Sequence, residues 1–125
     1  MRLGRDDIIT MIYTLIVRSN HLTNNYSAFN LAQALLAQQH TINNIYFMFD
    51  GAYIANDLID MPNDEFDLAA AWSKLSQQHQ IQLNVCAASG LRRGITLQNL
   101  APGFKNGSIG ELVASCDVAD RVVSL

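Results

Sequence analysis

The sequence predicts an α/β domain: a three-layer sandwich with a mostly parallel sheet of four or five strands. Two observations carry this expectation. Short β-branched and aromatic runs alternate with stretches whose apolar residues recur at helical spacing, a pattern that implies right-handed crossovers onto a parallel sheet. The 125 residues, half of them apolar, suffice for one core and not for two.

A strand pattern starts at Met11 and runs through Ile12, Tyr13, Leu15, Ile16 and Val17. Met11 is a plausible alternative start, so residues 1–10 read as an N-terminal extension and 11–125 as a single domain. Arg18 to Tyr26 is polar and Asn-rich, which suits a loop. Ser27 is placed to cap a helix whose stripe is Ala28, Leu31, Ala32, Leu35 and Leu36. Thr41 to Phe49 is apolar on both faces, as in a central strand, and Asp50-Gly51 ends it. Ala52 to Leu58 fits a short helix, and Ile59 to Asn63, with Pro62, a loop.

Asp64, Glu65 and Asp67 suit an acidic first turn, followed by the stripe Leu68, Ala71, Trp72 and Leu75. Ile81 to Val85 reads as a strand leading into Cys86 and a short helix. Ile95 to Gly107 reads as loop, given Pro102, Gly103 and Gly107. Ser108 is placed to cap a last helix carrying Ile109, Leu112, Val113 and Cys116, and Arg121 to Leu125 closes the chain as a strand.

The net charge of -3, with eight basic residues against eleven acidic ones, provides no field for a phosphate backbone. Direct nucleic-acid binding is therefore disfavoured. Two cysteines without a CxxC pair or a His/Cys cluster make neither a disulfide framework nor a zinc site. Ile8 to Val17 follows charged residues and contains Thr10 and Thr14, so it reads as neither secretory signal nor membrane span. A soluble, cytoplasmic protein is expected.

Cys116 lies on an apolar stripe and reads as a buried, inert thiol. Cys86 ends a strand and begins a helix, where ligands bind in open α/β sheets and where the helix dipole favours thiolate. Small neighbours Ala87 and Ala88 equally suit a packed core cysteine. Arg92 and Arg93 fit either a solvated helix end or an electropositive rim that stabilises the thiolate or receives a partner. Ser89 could donate a hydrogen bond to the sulfur, or could simply occupy a first turn.

Cys86 to Arg92 also has the Cys-x5-Arg spacing of oxyanion loops. Such loops turn several N–H groups inward, whereas Ala-Ala-Ser-Gly-Leu looks helical. No nucleotide or serine-hydrolase motif is present. His21, His40 and His79 sit beside polar residues and read as exposed. Asp50 and Asp57 read as turn and surface residues.

The ordered set Ser27-Ala28-Phe29, Ala32-Gln33-Ala34-Leu35, Gly51, Asn56, Asp64-Glu65, Ala71-Trp72, Val85-Cys86-Ala87-Ala88, Leu91-Arg92-Arg93-Gly94, Gly103-Phe104, Gly110 and Asp120-Arg121-Val122-Val123 resembles the TusD/DsrE family of sulfur-relay proteins. The likeness runs from Met11 almost to the end of the chain. Ser89-Gly90 stands where alanines are usual, and the segment Ile95 to Pro102 is shorter than the family pattern.

The resemblance implies a flavodoxin-like, DsrE-like fold and a sulfurtransferase subunit in which Cys86 carries sulfur as a persulfide, with no metal or organic cofactor. It implies a TusA-like donor, a TusE/DsrC-like acceptor and a heterohexamer with TusB-like and TusC-like subunits. The usual destination is 2-thiolation of the tRNA wobble uridine, with sulfur oxidation in the DsrE branch. The alternative is a non-catalytic structural subunit of a similar complex in which Cys86 only packs.

Overall fold

The structure, a computed structural model, describes residues 2–3, 7–59 and 66–125. Strands β1 (Arg2–Leu3) and β2 (Asp7–Ile8) pair antiparallel as a small sheet of their own. The main sheet has five strands: β3 (Ile12–Val17), β4 (Thr41–Phe47), β5 (Leu83–Cys86), β6 (Phe104–Gly107) and β7 (Arg121–Ser124). Their order is β6-β5-β4-β3-β7, and each pairing is parallel. The predicted parallel α/β sandwich is therefore the observed architecture.

Side-chain alternation divides the sheet into two unlike faces. Leu15, Val17, Ile45, Phe47, Leu83, Val85 and Phe104 form the larger core with α1 (Leu22–Ala37) and α2 (Leu68–His79). Trp72 is fully buried at its centre, edge-on to Phe29 at 5.1 Å and to Phe47 at 5.3 Å between ring centroids. The other face carries Thr14, Asn44, Tyr46, Asn84 and Cys86, a more polar set, and α4 (Ile109–Val118) packs against it. Asn84 donates to Asn44 Oδ1 at 2.6 Å, and Asn44 donates to Ser115 Oγ of α4 at 3.1 Å. These hydrogen bonds offset much of the cost of burying a polar face, although Asn84 Oδ1 is buried there without a partner.

Several elements differ from the sequence expectation. Helix α1 begins at Leu22, and its N-cap is His21 rather than Ser27. Asn25 is the reason: its amide donates to Ser19 O at 3.2 Å and accepts from Trp72 Nε1 at 2.9 Å. These tertiary bonds outweigh the weak helix preference of an Asn-rich stretch. After β4 the chain forms a 3-10 helix, Phe49–Ala55, earlier than the short helix expected from Ala52.

The 3-10 helix runs so close to β3 that a Cβ on Gly51 would lie 2.1 Å from the Val17 carbonyl oxygen. Asp67 is the N-cap of α2, accepting from Ala70 N–H at 3.0 Å. The acidic pair Asp64-Glu65, and the part of the Ile59 to Asn63 loop beyond Ile59, lie outside the described residues.

Strand β6 lies within the segment expected to be loop. Its two central residues, Lys105 and Asn106, are exposed and its length is four residues, as suits a sheet edge. An edge strand of that kind has no apolar run to announce it. Ser108 does cap α4, reciprocally with Glu111, in a full capping box. The stripe of α4 is only partly covered: Leu112 is buried, whereas Ile109 and Val113 are exposed and Cys116 is half-buried. His40 is half-buried, not exposed, with its Nδ1 accepting from Met11 N–H at 3.0 Å.

Candidate functional site

Cys86 is the last residue of β5 and the N-cap of α3 (Ala87–Leu91). Parallel pairing places it at the carboxyl end of the sheet, directly opposite Gly107 on β6. On the neighbouring strand β4, Tyr46 faces the same side. Tyr46, Cys86 and Leu112 form a small cluster, closed by Ile16, Met48 and Cys116. Cys86 is 8% exposed, while the next two residues, Ala87 and Ala88, are exposed. Cys86 thus lies just beneath the surface, next along the chain to two exposed small residues.

Burial by itself pushes the Cys86 thiol up, but hydrogen bonds outweigh it and hold the thiol below its ordinary value. In decreasing order these come from the Ser89 hydroxyl, the Ser89 N–H, the Tyr46 hydroxyl and the Ala88 N–H. The sequence placed the cause in a helix dipole. Helix α3 has only five residues, too few for a substantial macrodipole, so individual donors around the sulfur carry the effect instead.

Ser89 is 3% exposed, and its Oγ accepts from the Phe49 N–H at 2.8 Å. That bond occupies a lone pair and leaves the hydroxyl proton free for the sulfur. Phe49 sits at φ 53° with its ring half in solvent. A bulky residue in the left-handed region is held there by its surroundings, and the Ser89 bond is one of the constraints. Tyr46, fully buried, donates to Gly107 O at 3.1 Å. Burial, the neighbouring sulfur and Glu111 together push its hydroxyl far above the ordinary tyrosine value.

The two arginines separate. Arg93 Nη2 and Nε reach Asp50 Oδ1 at 2.9 and 3.1 Å, and Nη1 donates to Ser89 O at 3.0 Å. Its guanidinium also lies over Tyr53, 5.7 Å from the ring centroid. Arg93 therefore braces the backbone of Ser89 against the 3-10 helix. Arg92 is the exposed C-cap of α3. The residues between Cys86 and Arg92 are helical, so their N–H groups do not form an inward-facing oxyanion loop.

Beside α3 lies a groove of about 430 Å³ lined by Ala87, Leu91, Ile95, Leu97 and Asn106 among others. A cavity of about 610 Å³ opens elsewhere, between Asn20, Phe66, Asp67, Lys74 and Pro102. Among the described residues no cluster of three or more His, Cys, Asp or Glu side chains could hold a metal, and no helix is long and apolar enough to cross a membrane. Tyr46, Phe49 and Asp50 were not singled out with Cys86 from sequence. The one available signal was parity along β4, which puts Tyr46 on the opposite face from Ile45 and Phe47.

A family profile described as the DsrE/DsrF-like family matches residues 11–125. A protein named Sulfurtransferase TusD from Pectobacterium carotovorum subsp. carotovorum is 44% identical, over 78% of this chain and 84% of its own. Its namesake from Pectobacterium atrosepticum is 43% identical with the same coverage, 78% and 84%. Among solved structures, the ychN protein from E. coli superposes with a TM-score of 0.79 at 18% identity, covering 94% of this chain and 100% of that one. A protein of unknown function from Methanobacterium thermoautotrophicum gives 0.73 at 10% identity, covering 92% and 99%. At those identities the two structures speak for the fold alone.

Proposed function

Because the chain belongs to the DsrE/DsrF-like family, we propose that it is a sulfurtransferase subunit of a sulfur relay and that Cys86 carries the sulfur as a persulfide. Relatives sharing more than two-fifths of their residues bear the name Sulfurtransferase TusD, which supports the activity class. The observation that carries the assignment to Cys86 is its place at the junction of β5 and α3, packed in one cluster with the buried Tyr46 and followed one turn on by the buried Ser89, surroundings that hold the thiol below its ordinary value.

The chemistry requires that anion. The Cys86 thiolate attacks the outer sulfur of a donor persulfide; the S–S bond breaks and the donor leaves as a thiolate. An acceptor thiolate then attacks the outer sulfur now on Cys86, and Cys86 departs as a thiolate. Each step exchanges one S–S bond for another, with no net oxidation and no metal or organic cofactor. A stabilised thiolate serves in both directions, since it is populated for attack and leaves readily.

In this reading a TusA-like protein donates and a TusE/DsrC-like protein accepts. TusB-like and TusC-like subunits complete a heterohexamer, and the product is the 2-thiolated wobble uridine of tRNA. The working compartment is the cytoplasm, where free thiols persist. Arg92, exposed beside the site, is a docking residue, and Arg93 is a positioning residue acting through Ser89. Exposed Leu91 and Leu97 along the neighbouring groove extend the surface a carrier protein would cover.

The near-burial of Cys86 favours a second reading, a structural subunit in which this thiol only packs. Mass spectrometry after incubation with a persulfide donor separates the two. One added sulfur atom on the wild type, lost in Cys86→Ser, supports relay; equal loading of both proteins overturns it. Site-resolved alkylation adds a sharper contrast, because Cys116 is the more exposed thiol. Faster labelling of Cys86 at neutral pH requires an activated sulfur, whereas access alone favours Cys116.

A further inference from the structure

We propose that the Tyr46 hydroxyl is a switchable hydrogen-bond donor for Cys86, bound to the Gly107 carbonyl when the sulfur is a thiol and turned to the sulfur when it is an anion. The inference rests on the reading of Cys86 as the sulfur carrier. A phenol has one proton, and Tyr46 stands between two acceptors. One is Gly107 O, which it contacts at 3.1 Å. The other is the Cys86 sulfur, in the same buried cluster and on the residue paired with Gly107 across β5 and β6.

The strands make the arrangement rigid. Tyr46 pairs with Asn84 on β5, and a Cβ on Gly107 would come within 2.8 Å of the Asn84 Cβ. Close approach of β6 thus depends on that glycine. Tyr46 is completely buried, so water does not compete for its proton. Among ionisable groups on the packed elements, Cys116 of α4 joins the cluster, and Glu111 of α4 lies 3.6 Å from Lys105 of β6. Asp50 and Arg93 pair with each other beyond Ser89. Tyr46 is the hydroxyl in the cluster, and its rotation moves a proton's direction without moving the proton between atoms. The thiol proton itself leaves to solvent or base, and Tyr46 keeps its own. When Cys86 is the leaving group, the same donor receives the developing charge.

Tyr46→Phe in the full chain tests this, with Cys86 alkylation by iodoacetamide followed against pH by site-resolved mass spectrometry. The expected result is an upward displacement of the midpoint and a rate at neutral pH about tenfold lower, as for loss of one hydrogen bond to an anion. The limiting rate at alkaline pH stays within about twofold, because access is unchanged. An unmoved midpoint, or a limiting rate that falls as far as the neutral one, overturns the proposal.

A second measurement needs no folded variant of Tyr46. In wild type, the tyrosine absorption band shifts as Cys86 ionises, and the shift is missing in Cys86→Ser. Absence of that shift in wild type also overturns it. Sulfur loading of wild type is scored separately, so a chain that fails to load defeats the relay reading while the Tyr46 result still stands or falls by itself.

Discussion

The Phe49 N–H donates to the Ser89 hydroxyl oxygen at 2.8 Å, joining the turn after β4 to the helix that follows Cys86. Through this bond, a backbone group on one strand's exit sets the direction of a proton beside the sulfur on the next. Arg93 reinforces the link from the other side by holding both Asp50 and the Ser89 carbonyl.

Ser89→Ala is expected to weaken both function and fold. Loss of the hydroxyl removes a donor to the sulfur, so alkylation of Cys86 at neutral pH slows by about tenfold. The part-buried Phe49 N–H loses its acceptor, at a cost of about 1 kcal/mol. Denaturant unfolding and the pH profile of alkylation check the two effects separately. A normal profile would show that Ser89 serves only Phe49.

Gly51→Ala is expected to be severe although glycine has no side chain to offer the chemistry. Its added methyl would lie 2.1 Å from the Val17 carbonyl oxygen, a backbone atom that cannot turn aside. A loss of roughly 3 kcal/mol follows from forced displacement of the 3-10 helix, seen as a fall in Tm of roughly 10 °C. A variant that melts with the wild type would mean that Phe49–Ala55 shifts freely.

Asn25 and Trp72 form a buried donor-acceptor pair at 2.9 Å. Asn25→Ala leaves the indole N–H unpaired and costs about 2 kcal/mol. In a double-mutant cycle with Trp72→Phe, the combined loss is expected to be smaller than the sum by about 1 kcal/mol. Strict additivity would show that the bond contributes nothing beyond packing.

Stability should depend on pH through two opposite ionisations. Burial raises Cys86, but Ser89, Tyr46 and backbone donors outweigh it, so the folded thiol ionises below the ordinary 9.0. Between the folded value and 9.0, the unfolded chain binds more protons and stability rises with pH; the gain is complete above that window and lost as pH falls through the folded value. Tyr46 is raised, mainly by burial, so above the ordinary 10.0 the unfolded chain ionises first and stability falls. Chemical denaturation at stepped pH checks this: Cys86→Ser should lack the rise, and Tyr46→Phe should reduce the fall. A Cys86→Ser curve parallel to wild type would refute the thiol assignment.

Most of the architecture was legible because period and apolarity announce elements with a buried face. The stripes of α1 and α2 and the runs in β3, β4 and β5 are of this kind. The misses share a cause. Strand β6 is a short edge with two exposed residues, α1 gains its first turn from bonds to Ser19 and Trp72, and the 3-10 helix is seated by contact at Gly51. None of these is a property of the local segment.

The sequence by itself determined that Cys86 ends a strand, that small residues and a serine follow it, and that Ser108 caps the last helix, since each is a matter of neighbours along the chain. Tertiary structure alone decided which groups surround the sulfur. Parallel register brings Tyr46 from β4 and Gly107 from β6 beside Cys86, and Arg93 folds onto Asp50 rather than toward the thiol. The physical reason is that hydrogen bonds to a buried sulfur depend on positions across strands, and no spacing within one segment encodes those.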